Sequence, residues 1–446
     1  MNYLEMLQAV PARQTALIED SRQYTYGEMV MDVRRCSDGL LSHHRTAAQR
    51  APGQPSAAAA AVSYQEGLPS LAWIKSPSVY TQLICFLSCA QIGLIPVILS
   101  PDIIHPPRIP SDLSVPDKDC MGVLTSGTTG TPKLLFRTFE SWHGYFPVQN
   151  SIFGVDGDTR MFVHGSLAFT GNLNMYLALL SQGATLITCP AVHPPGWNRS
   201  ISLNQANAIY LIPSKLRLLS RTAPGPADHV KTILTGSQSM DLKDMHGLKQ
   251  AFPQSRCILY YGASELSYVS YLCGHEMTGN PACVGRPFPG VHITVKDGEI
   301  MADTPCCALG VQTPASAGDI GYLDSQGFLY LLGRRDNVYN IHGRKIPGAL
   351  VEHALTDLEE INEAAVALEH GSLTAYVVLN PAFHSPDSQT PSTDLSRRLM
   401  RRLEENLEYY QLPAGYGSLR KFQKTAAESR SCHCFPLLNE CVPSQS

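Results

Sequence analysis

The sequence predicts an α/β protein: a large N-terminal domain of layered, mostly parallel sheets and helices, followed by a small α+β domain. At 446 residues the chain is too long for a single hydrophobic core. Over residues 1–333, apolar runs of strand length, such as Leu71–Ile74, Ala184–Thr188 and Ala208–Ile212, alternate with helix-length periodic segments. This alternation is typical of parallel sheets covered by helices.

The pattern changes in residues 334–446, which we interpret as the small domain. Short strands are predicted at Val338–Ile341 and Thr374–Leu379, with a helix at Ala349–Leu358 between them. A basic amphipathic helix at Leu395–Leu407 has the pattern of a solvated face, so we assign it no binding role. We therefore expect a domain boundary at the start of this region.

Composition and charge exclude several classes of protein. A net charge of -4 lacks the basic footprint of a nucleic-acid-binding protein. Residues Met1–Thr15 do not have the pattern of a secretory signal, so we expect a cytoplasmic location. The longest apolar stretch, Leu83–Leu99, is too short for a membrane span and is broken by Gly93 and Pro96, which predicts a helix followed by a strand. The 13 scattered cysteines predict reduced thiols rather than a disulfide framework.

One short segment carries the strongest chemical signal. After an apolar run, residues 125–133 read T-S-G-T-T-G-T-P-K. Glycines allow the backbone to approach an anion closely, and hydroxyls, N–H groups and an ammonium donate hydrogen bonds to it. The spacing differs from the P-loop, which disfavours a kinase or GTPase, and the composition alone also suits a solvent loop. The candidate phosphate-binding residues are Thr125, Ser126, Gly127, Thr128, Thr129, Gly130 and Lys133.

The order of residues 125–133 resembles the signature loop of the adenylate-forming superfamily, which contains acyl-CoA synthetases, aryl-acid ligases, peptide-synthetase adenylation domains and firefly luciferase. The resemblance continues in the family order from Ala16–Ile18 to Ala375–Leu379. It implies that ATP and Mg²⁺ are used to convert a carboxylic acid into an acyl-AMP. A thioester then forms with coenzyme A or with the phosphopantetheine of an acyl carrier protein. The resemblance also implies that the small domain is mobile.

Further motifs supply the implied nucleotide site. Tyr260–Glu265 resembles the family segment Y-G-x-T-E, in which the hydroxyl contacts the AMP phosphate and the carboxylate helps to hold magnesium. The resemblance implies that Ser264 and Glu265 take these two roles and that Thr128 joins Glu265 at the metal. The Glu265 carboxylate suits Mg²⁺, which prefers oxygen ligands. The other implied nucleotide-binding residues are Gly236, Tyr261, Gly262, Asp319, which accepts from the ribose hydroxyls, and Arg334.

The remaining implied residues concern domain motion, catalysis and the acid. Gly333–Asn337 resembles the junction of the two family domains, with Asp336 as the hinge. Lys133 and Glu352 complete the implied catalytic set with Ser264 and Glu265, although Glu352 also suits a purely structural role. The implied acid-binding residues, each of which also has a packing explanation, are His164, Phe169 and Ser237.

The segment between Met161 and Ala184 contains no acidic residue, although amino-acid-activating relatives hold the substrate ammonium there with an aspartate. A buried ammonium without a carboxylate partner is costly, so we expect a fatty or aryl acid rather than an amino acid.

The C-terminal end departs from the family. Members carry a catalytic lysine in P-x-T-x-x-G-K, whereas residues 425–429 read T-A-A-E-S, and Lys421 and Lys424 lie at other positions. We interpret residues 428–446 as an aberrant tail produced by a lost reading frame. Because the lysine balances charge that builds on phosphorus, the alternative to an active ligase is an impaired family remnant that binds nucleotide or acyl-AMP. A luciferase-like oxygenase is a third alternative.

Overall fold

The computed structural model describes residues 3–47, 61–65, 68–101, 103, 106–107, 109, 114–116, 120–125, 133–341, 344–356, 358–380, 393–405 and 407–418. The helices in these ranges are α1 (Tyr3–Gln8), α2 (Tyr26–Ala47), α3 (Val79–Gln91), α4 (Glu140–His143), α5 (Phe146–Phe153), α6 (Thr170–Ser181), α7 (Pro194–Leu203), α8 (Pro213–Arg221), α9 (Leu242–Ala251), α10 (Gly348–Thr356) and α11 (Thr393–Leu403).

The strands form four sheets, with 13, five, three and two strands in the described ranges. In chain order they are β1 (Thr15–Glu19), β2 (Arg22–Thr25), β3 (Val62–Gln65), β4 (Leu68–Ile74), β5 (Ile95–Ile98), β6 (Cys120–Thr125), β7 (Lys133–Thr138), β8 (Arg160–Val163), β9 (Thr185–Thr188), β10 (Ala208–Tyr210), β11 (Thr232–Gly236), β12 (Arg256–Ala263), β13 (Ser267–Cys273), β14 (Cys283–Pro287), β15 (His292–Lys296), β16 (Glu299–Asp303), β17 (Asp319–Leu323), β18 (Leu329–Arg334), β19 (Val338–Ile341), β20 (Arg344–Pro347), β21 (Ile361–Glu369), β22 (Ser372–Leu379) and β23 (Gly415–Ser418).

The centre of the large sheet is parallel. Strands β12, β11, β10, β8, β9 and β1 lie side by side in this order, each parallel to the next. Helices α6, α7, α8 and α9 connect successive strands from β8 to β12, as parallel pairing requires. All residues of β9, β10 and β11 are buried, because helices cover both faces. The predicted α/β class is therefore confirmed.

The other half of this sheet is antiparallel, so the sheet is mixed rather than mostly parallel as expected from the sequence. Beyond β12, strands β13, β14, β18, β17, β16 and β15 pair antiparallel in this order. Turns and loops replace the connecting α-helices here. The turn between β15 and β16 consists of Asp297 and Gly298, both with positive φ, which is the geometry of a tight hairpin.

The five-stranded sheet has the order β3-β4-β5-β6-β7 and is also mixed. Helix α3 and strand β5 fall within Leu83–Leu99 and its flanks, which confirms the predicted helix followed by a strand. Ser78 caps α3 by accepting from the Thr81 N–H at 3.2 Å. None of the described helices is long and apolar enough to cross a membrane. The ten cysteines in the described ranges are all free thiols.

The chain after residue 337 builds separate sheets with a core of its own. Strands β21, β22 and β23 form one sheet, β19 and β20 form another, and α10 and α11 pack with them. Val351, Leu355, Val377 and Leu399 are at the centre of this core. The predicted strand Val338–Ile341 is confirmed, while α11 ends before the predicted Leu407. Residues 419–446, including Lys421, Lys424 and the interpreted tail, lie outside the described residues.

Strand β14 packs closely against β13 at Gly285. Its φ is +87°, and an added Cβ would lie 1.8 Å from the Tyr271 carbonyl oxygen. Gly290 has a similar φ of +78° but open space around it. We expect Gly290→Ala to cost about 1–2 kcal/mol of folding free energy from backbone strain alone. Gly285→Ala should cost clearly more, at least about 3 kcal/mol, because the backbone must also move. Thermal and urea unfolding of both variants measure this, and equal losses would contradict the packing described.

Candidate active site

The predicted site residues follow the carboxyl ends of the parallel strands. His164 comes directly after β8, Ser237 after β11 and Ser264 after β12. The register Val163↔Tyr210 and Gly236↔Tyr260 places these strand ends at the same edge of the sheet. In open α/β sheets, ligands bind in the crevice outside this edge. The sheet therefore brings together residues that are far apart in the sequence.

Ser264 and Glu265 form a turn that is held from several sides. The Ser264 hydroxyl lies 3.3 Å from the hydroxyl of Thr170 at the start of α6. The Ser264 carbonyl oxygen accepts from Arg137, and the Glu265 carbonyl oxygen accepts from the Ala308 N–H at 2.8 Å. The Glu265 side chain is half-buried and, within the described residues, forms no side-chain hydrogen bond or ion pair. A half-buried carboxylate without a side-chain partner fits a hard cation such as Mg²⁺. This ion is usually held by one or two carboxylates together with substrate phosphates.

Asp319 lies beside this turn, on the first residue of β17. It is 8% exposed and accepts a hydrogen bond of 2.6 Å from the Tyr261 hydroxyl. Arg334, its cross-strand neighbour on β18, lies 3.5 Å from the other carboxylate oxygen. Burial raises the pKa of Asp319 above its usual value, while Arg334 and Tyr261 oppose the shift. At neutral pH the cluster thus offers a fixed acceptor flanked by a cation.

Two glycines of the predicted site are required by close packing. An added Cβ on Gly236 would lie 2.8 Å from the Tyr260 ring. On Gly262, at a bulge in β12, it would lie 2.3 Å from the Ser267 carbonyl oxygen. Both positions therefore keep the backbone close to its neighbours.

Thr125 and Lys133 face each other at the open end of a hairpin. They are paired across β6 and β7, and the Lys133 side chain is exposed. The hairpin therefore brings the two ends of the predicted phosphate-binding loop together. The loop residues Ser126, Gly127, Thr128, Thr129 and Gly130 lie outside the described residues.

The predicted acid-binding residues lie at the same edge. Burial, together with nearby Lys215, lowers the pKa of His164 to about 4, and its ring contacts Trp197 at a centroid distance of 4.8 Å. The imidazole is therefore neutral at pH 7. Phe169, just before α6, is 38% exposed. Ser237 has a φ of +68°, which turns the chain sharply after β11.

This chain is similar to several known proteins. The family model described as AMP-binding enzyme matches residues 110–310, which contain the predicted phosphate loop and the Ser264–Glu265 turn. Residues 110–310 are thus similar to AMP-binding enzymes. The chain is 27% identical over 259 residues to an uncharacterized acyl-CoA ligase, YhfT, of Bacillus subtilis, covering 54% of each chain. A putative long chain fatty acid-CoA ligase, VraA, of Staphylococcus epidermidis is 26% identical, covering 59% of this chain and 60% of that one. The matches thus span little more than half of these relatives.

Solved structures of adenylate-forming enzymes share the fold. The o-succinylbenzoate CoA synthetase MenE of Bacillus subtilis, in complex with its acyl-adenylate, has a TM-score of 0.78 at 19% identity and covers 96% of each chain. The anthranilate CoA ligase AuaEII with anthranoyl-AMP has a TM-score of 0.75 at 16% identity, covering 96% of this chain and 95% of that one. The fold shared with these structures therefore extends over nearly the whole chain.

Two further residues implied by the superfamily resemblance are Glu352 and Asp336. Glu352, on α10, accepts the Val366 N–H at 3.0 Å, a contact that holds the helix on β21. This contact fits a structural role. The Asp336 backbone lies in a short 3-10 turn, Arg335–Asn337, between β18 and β19, and its side chain is outside the described residues. Its role as a hinge stays a prediction.

Reasoning from the sequence missed two residues that hold the candidate site. Thr170 contacts the Ser264 hydroxyl across 94 residues of sequence. Arg137 binds the Ser264 carbonyl across 127 residues. A charged residue inside the otherwise apolar run L-L-F-R was the available signal for Arg137.

Asp319→Asn tests the ribose acceptor. The substitution keeps the shape of the side chain but replaces one acceptor oxygen by a donor, so we expect AMP affinity to fall about 10–100-fold. Affinity of the unmodified protein should also fall as the pH drops through the Asp319 pKa, which burial raises, so the loss begins above the pH of an ordinary carboxyl. Asp324→Asn, at the other end of β17, is the matched control in calorimetric titration. Equal affinities of the two variants would rule out a ribose role.

Proposed function

We propose that this protein is an AMP-forming acid–thiol ligase. The observation that carries the proposal is the convergence of Tyr261, Asp319 and Arg334 with the Ser264–Glu265 turn at one sheet edge. The similarity of residues 110–310 to AMP-binding enzymes and the shared fold of solved structures with ATP or an acyl-adenylate support it. In the first step a carboxylate oxygen attacks the α-phosphorus of ATP and pyrophosphate leaves. In the second, a thiol attacks the acyl carbon and AMP leaves.

The proposed reaction needs no protein nucleophile, and each site residue has a separate role. Asp319 accepts from the ribose, and Arg334 holds the Asp319 carboxylate in place. Lys133, at the mouth of the loop that begins after Thr125, balances the phosphate charge, and Ser264 donates to the α-phosphate. Glu265 is the carboxylate that fits magnesium, and the metal neutralises charge as pyrophosphate leaves. Positioning and charge balance suffice for such in-line displacement.

The acid is proposed to be a fatty or aryl acid. His164 is neutral at pH 7, so the residues proposed to line the pocket provide Phe169 and a neutral ring rather than a carboxylate for an ammonium. Relatives described as fatty acid-CoA ligases support coenzyme A as the acceptor. A delta-poly-L-ornithine synthetase of Acinetobacter baumannii is also among the relatives. The phosphopantetheine arm of an acyl carrier protein is therefore the second candidate acceptor. The cytoplasmic location stays a prediction.

An acid panel with pyrophosphate detection tests the function. Fatty acids of increasing length and aryl acids are each supplied with ATP and Mg²⁺, and AMP is measured separately with coenzyme A. Release of pyrophosphate with one class of acid is the expected result. Glu265→Gln should raise the Mg²⁺ concentration for half-maximal release at least about tenfold, since even outer-shell changes cost roughly 10–100-fold in metal affinity. Glu276→Gln, which disturbs an ion pair with Arg286, is the control.

A second candidate is an impaired family member that binds nucleotide without turnover. The observation that favours it is Glu428-Ser429 where the family carries Gly-Lys. The double variant Glu428→Gly/Ser429→Lys separates the two candidates. Restored pyrophosphate release, with unchanged ATP affinity, supports the impaired form, whereas equal release before and after the change supports an active ligase.

We also propose that residues 1–333 and 334–446 act as two domains that move about Asp336. Separate sheets and a separate core on the two sides of the Arg335–Asn337 turn support this division. Asp336→Pro, which fixes φ, should lower AMP formation with coenzyme A while leaving pyrophosphate release intact. Asp336→Ala is the control for loss of the side chain. Equal losses in both steps would argue against a hinge.

A further inference from the structure

The guanidinium of Arg137 is buried beneath the candidate site. The side chain has 0% exposure and lies on β7, the strand that begins at Lys133. Burying a charge is costly, and replacing buried charged groups by apolar residues of similar volume is often neutral or stabilising. All the hydrogen-bond acceptors that the described residues offer Arg137 are neutral oxygens. Stability alone therefore does not explain a cation at this position.

The contacts of Arg137 converge on the backbone of the Ser264–Glu265 turn. Its Nε and Nη2 both donate to the Ser264 carbonyl oxygen, at 3.2 and 2.8 Å. Its Nη1 donates to the Cys306 carbonyl oxygen at 2.7 Å. The guanidinium also lies over the Trp142 ring, 5.2 Å from the centroid. A planar fork held in this way leaves the Ser264 carbonyl little freedom to rotate.

Residues 306–309 complete this arrangement. The Ala308 N–H donates to the Glu265 carbonyl oxygen, and the Leu309 N–H donates to the Phe136 carbonyl oxygen, both at 2.8 Å. Together with Arg137, this segment ties three pieces of backbone to one another: strand β7, the Ser264–Glu265 turn and the 306–309 loop. Both carbonyl groups of the turn are thus fixed, while the Glu265 carboxylate forms no side-chain hydrogen bond or ion pair within the described residues.

The Arg137 guanidinium carries a positive charge next to the Ser264–Glu265 turn. Burial lowers the pKa of Arg137 to about 10, so the side chain remains a cation at neutral pH. Cys306, Cys307 and the Glu265 carboxylate oppose this lowering of the Arg137 pKa. The cation and the carboxylate therefore act on each other without forming a direct ion pair, and Glu265 keeps its oxygens available.

We propose that Arg137 is a positioning residue for the metal-binding carboxylate. By fixing the Ser264 carbonyl and the 306–309 loop, it sets the direction of the Glu265 side chain toward Mg·ATP. The proposal rests on the function proposed above, and it predicts that loss of Arg137 acts on the magnesium requirement rather than on nucleotide affinity in general.

Arg137→Met and Arg137→Lys test this role, with Arg160→Met as the matched control. Arg160 also donates from Nε and Nη2 to one carbonyl oxygen, that of Asn204, at 2.9 and 2.8 Å, but at the opposite end of the parallel strands. ATP binding is measured by calorimetry over a range of Mg²⁺ concentrations and without Mg²⁺, and unfolding temperature is measured in parallel. We expect Arg137→Met to raise the Mg²⁺ concentration for half-maximal ATP binding about tenfold, the effect of losing charge-assisted hydrogen bonds.

The Mg²⁺ concentration for half-maximal ATP binding of Arg137→Lys should lie between the values of Arg137→Met and Arg160→Met. Arg160→Met itself should change only the unfolding temperature. Affinity for metal-free ATP should be equal in all variants. A magnesium dependence of Arg137→Met equal to that of Arg160→Met overturns the proposal, and if Arg137→Met does not fold, Arg137→Lys decides by the same comparison. A wild-type chain that binds Mg·ATP but releases no pyrophosphate with any acid overturns the proposed activation and leaves this comparison valid. A wild-type chain that binds no Mg·ATP overturns both.

Discussion

The shared direction of β8, β10, β11 and β12 is the constraint on which the candidate site depends. Helices α6 to α9 connect the successive strands β8, β9, β10, β11 and β12, as parallel pairing requires. The strands are apolar because helices cover both faces of the sheet. Every strand therefore ends at the same edge, and each polar residue that follows a strand is delivered there. His164, Ser237 and Ser264 lie along the same edge of the sheet for this reason.

The reversal of direction after β12 supplies the rest of the site. The hairpin from β12 to β13 starts an antiparallel half-sheet whose later strands, β17 and β18, return to the same edge. Asp319 begins one and Arg334 ends the other, so their cross-strand pairing places a carboxylate and a guanidinium side by side. Tyr261, on the strand before the reversal, connects this pair to the parallel half through its hydroxyl.

The sequence predicted those parts of the molecule that local patterns determine. The helix and strand within Leu83–Leu99 and the strand Val338–Ile341 follow from apolar periodicity and from glycine and proline breaks. The antiparallel half-sheet was not predicted, because its strands are short, partly exposed and paired with partners that local sequence does not specify. Motifs predicted Ser264, Glu265 and Asp319 as site residues. Arg137 and Thr170 were missed because their importance lies in contacts made across a long stretch of chain.

His164 has a consequence for how the protein would choose among acids. A ring kept neutral by burial and by Lys215 does not change its charge over the pH range in which cells live. In the proposed acid pocket, His164 therefore offers a flat neutral surface, and the positive charge in its neighbourhood belongs to Lys215.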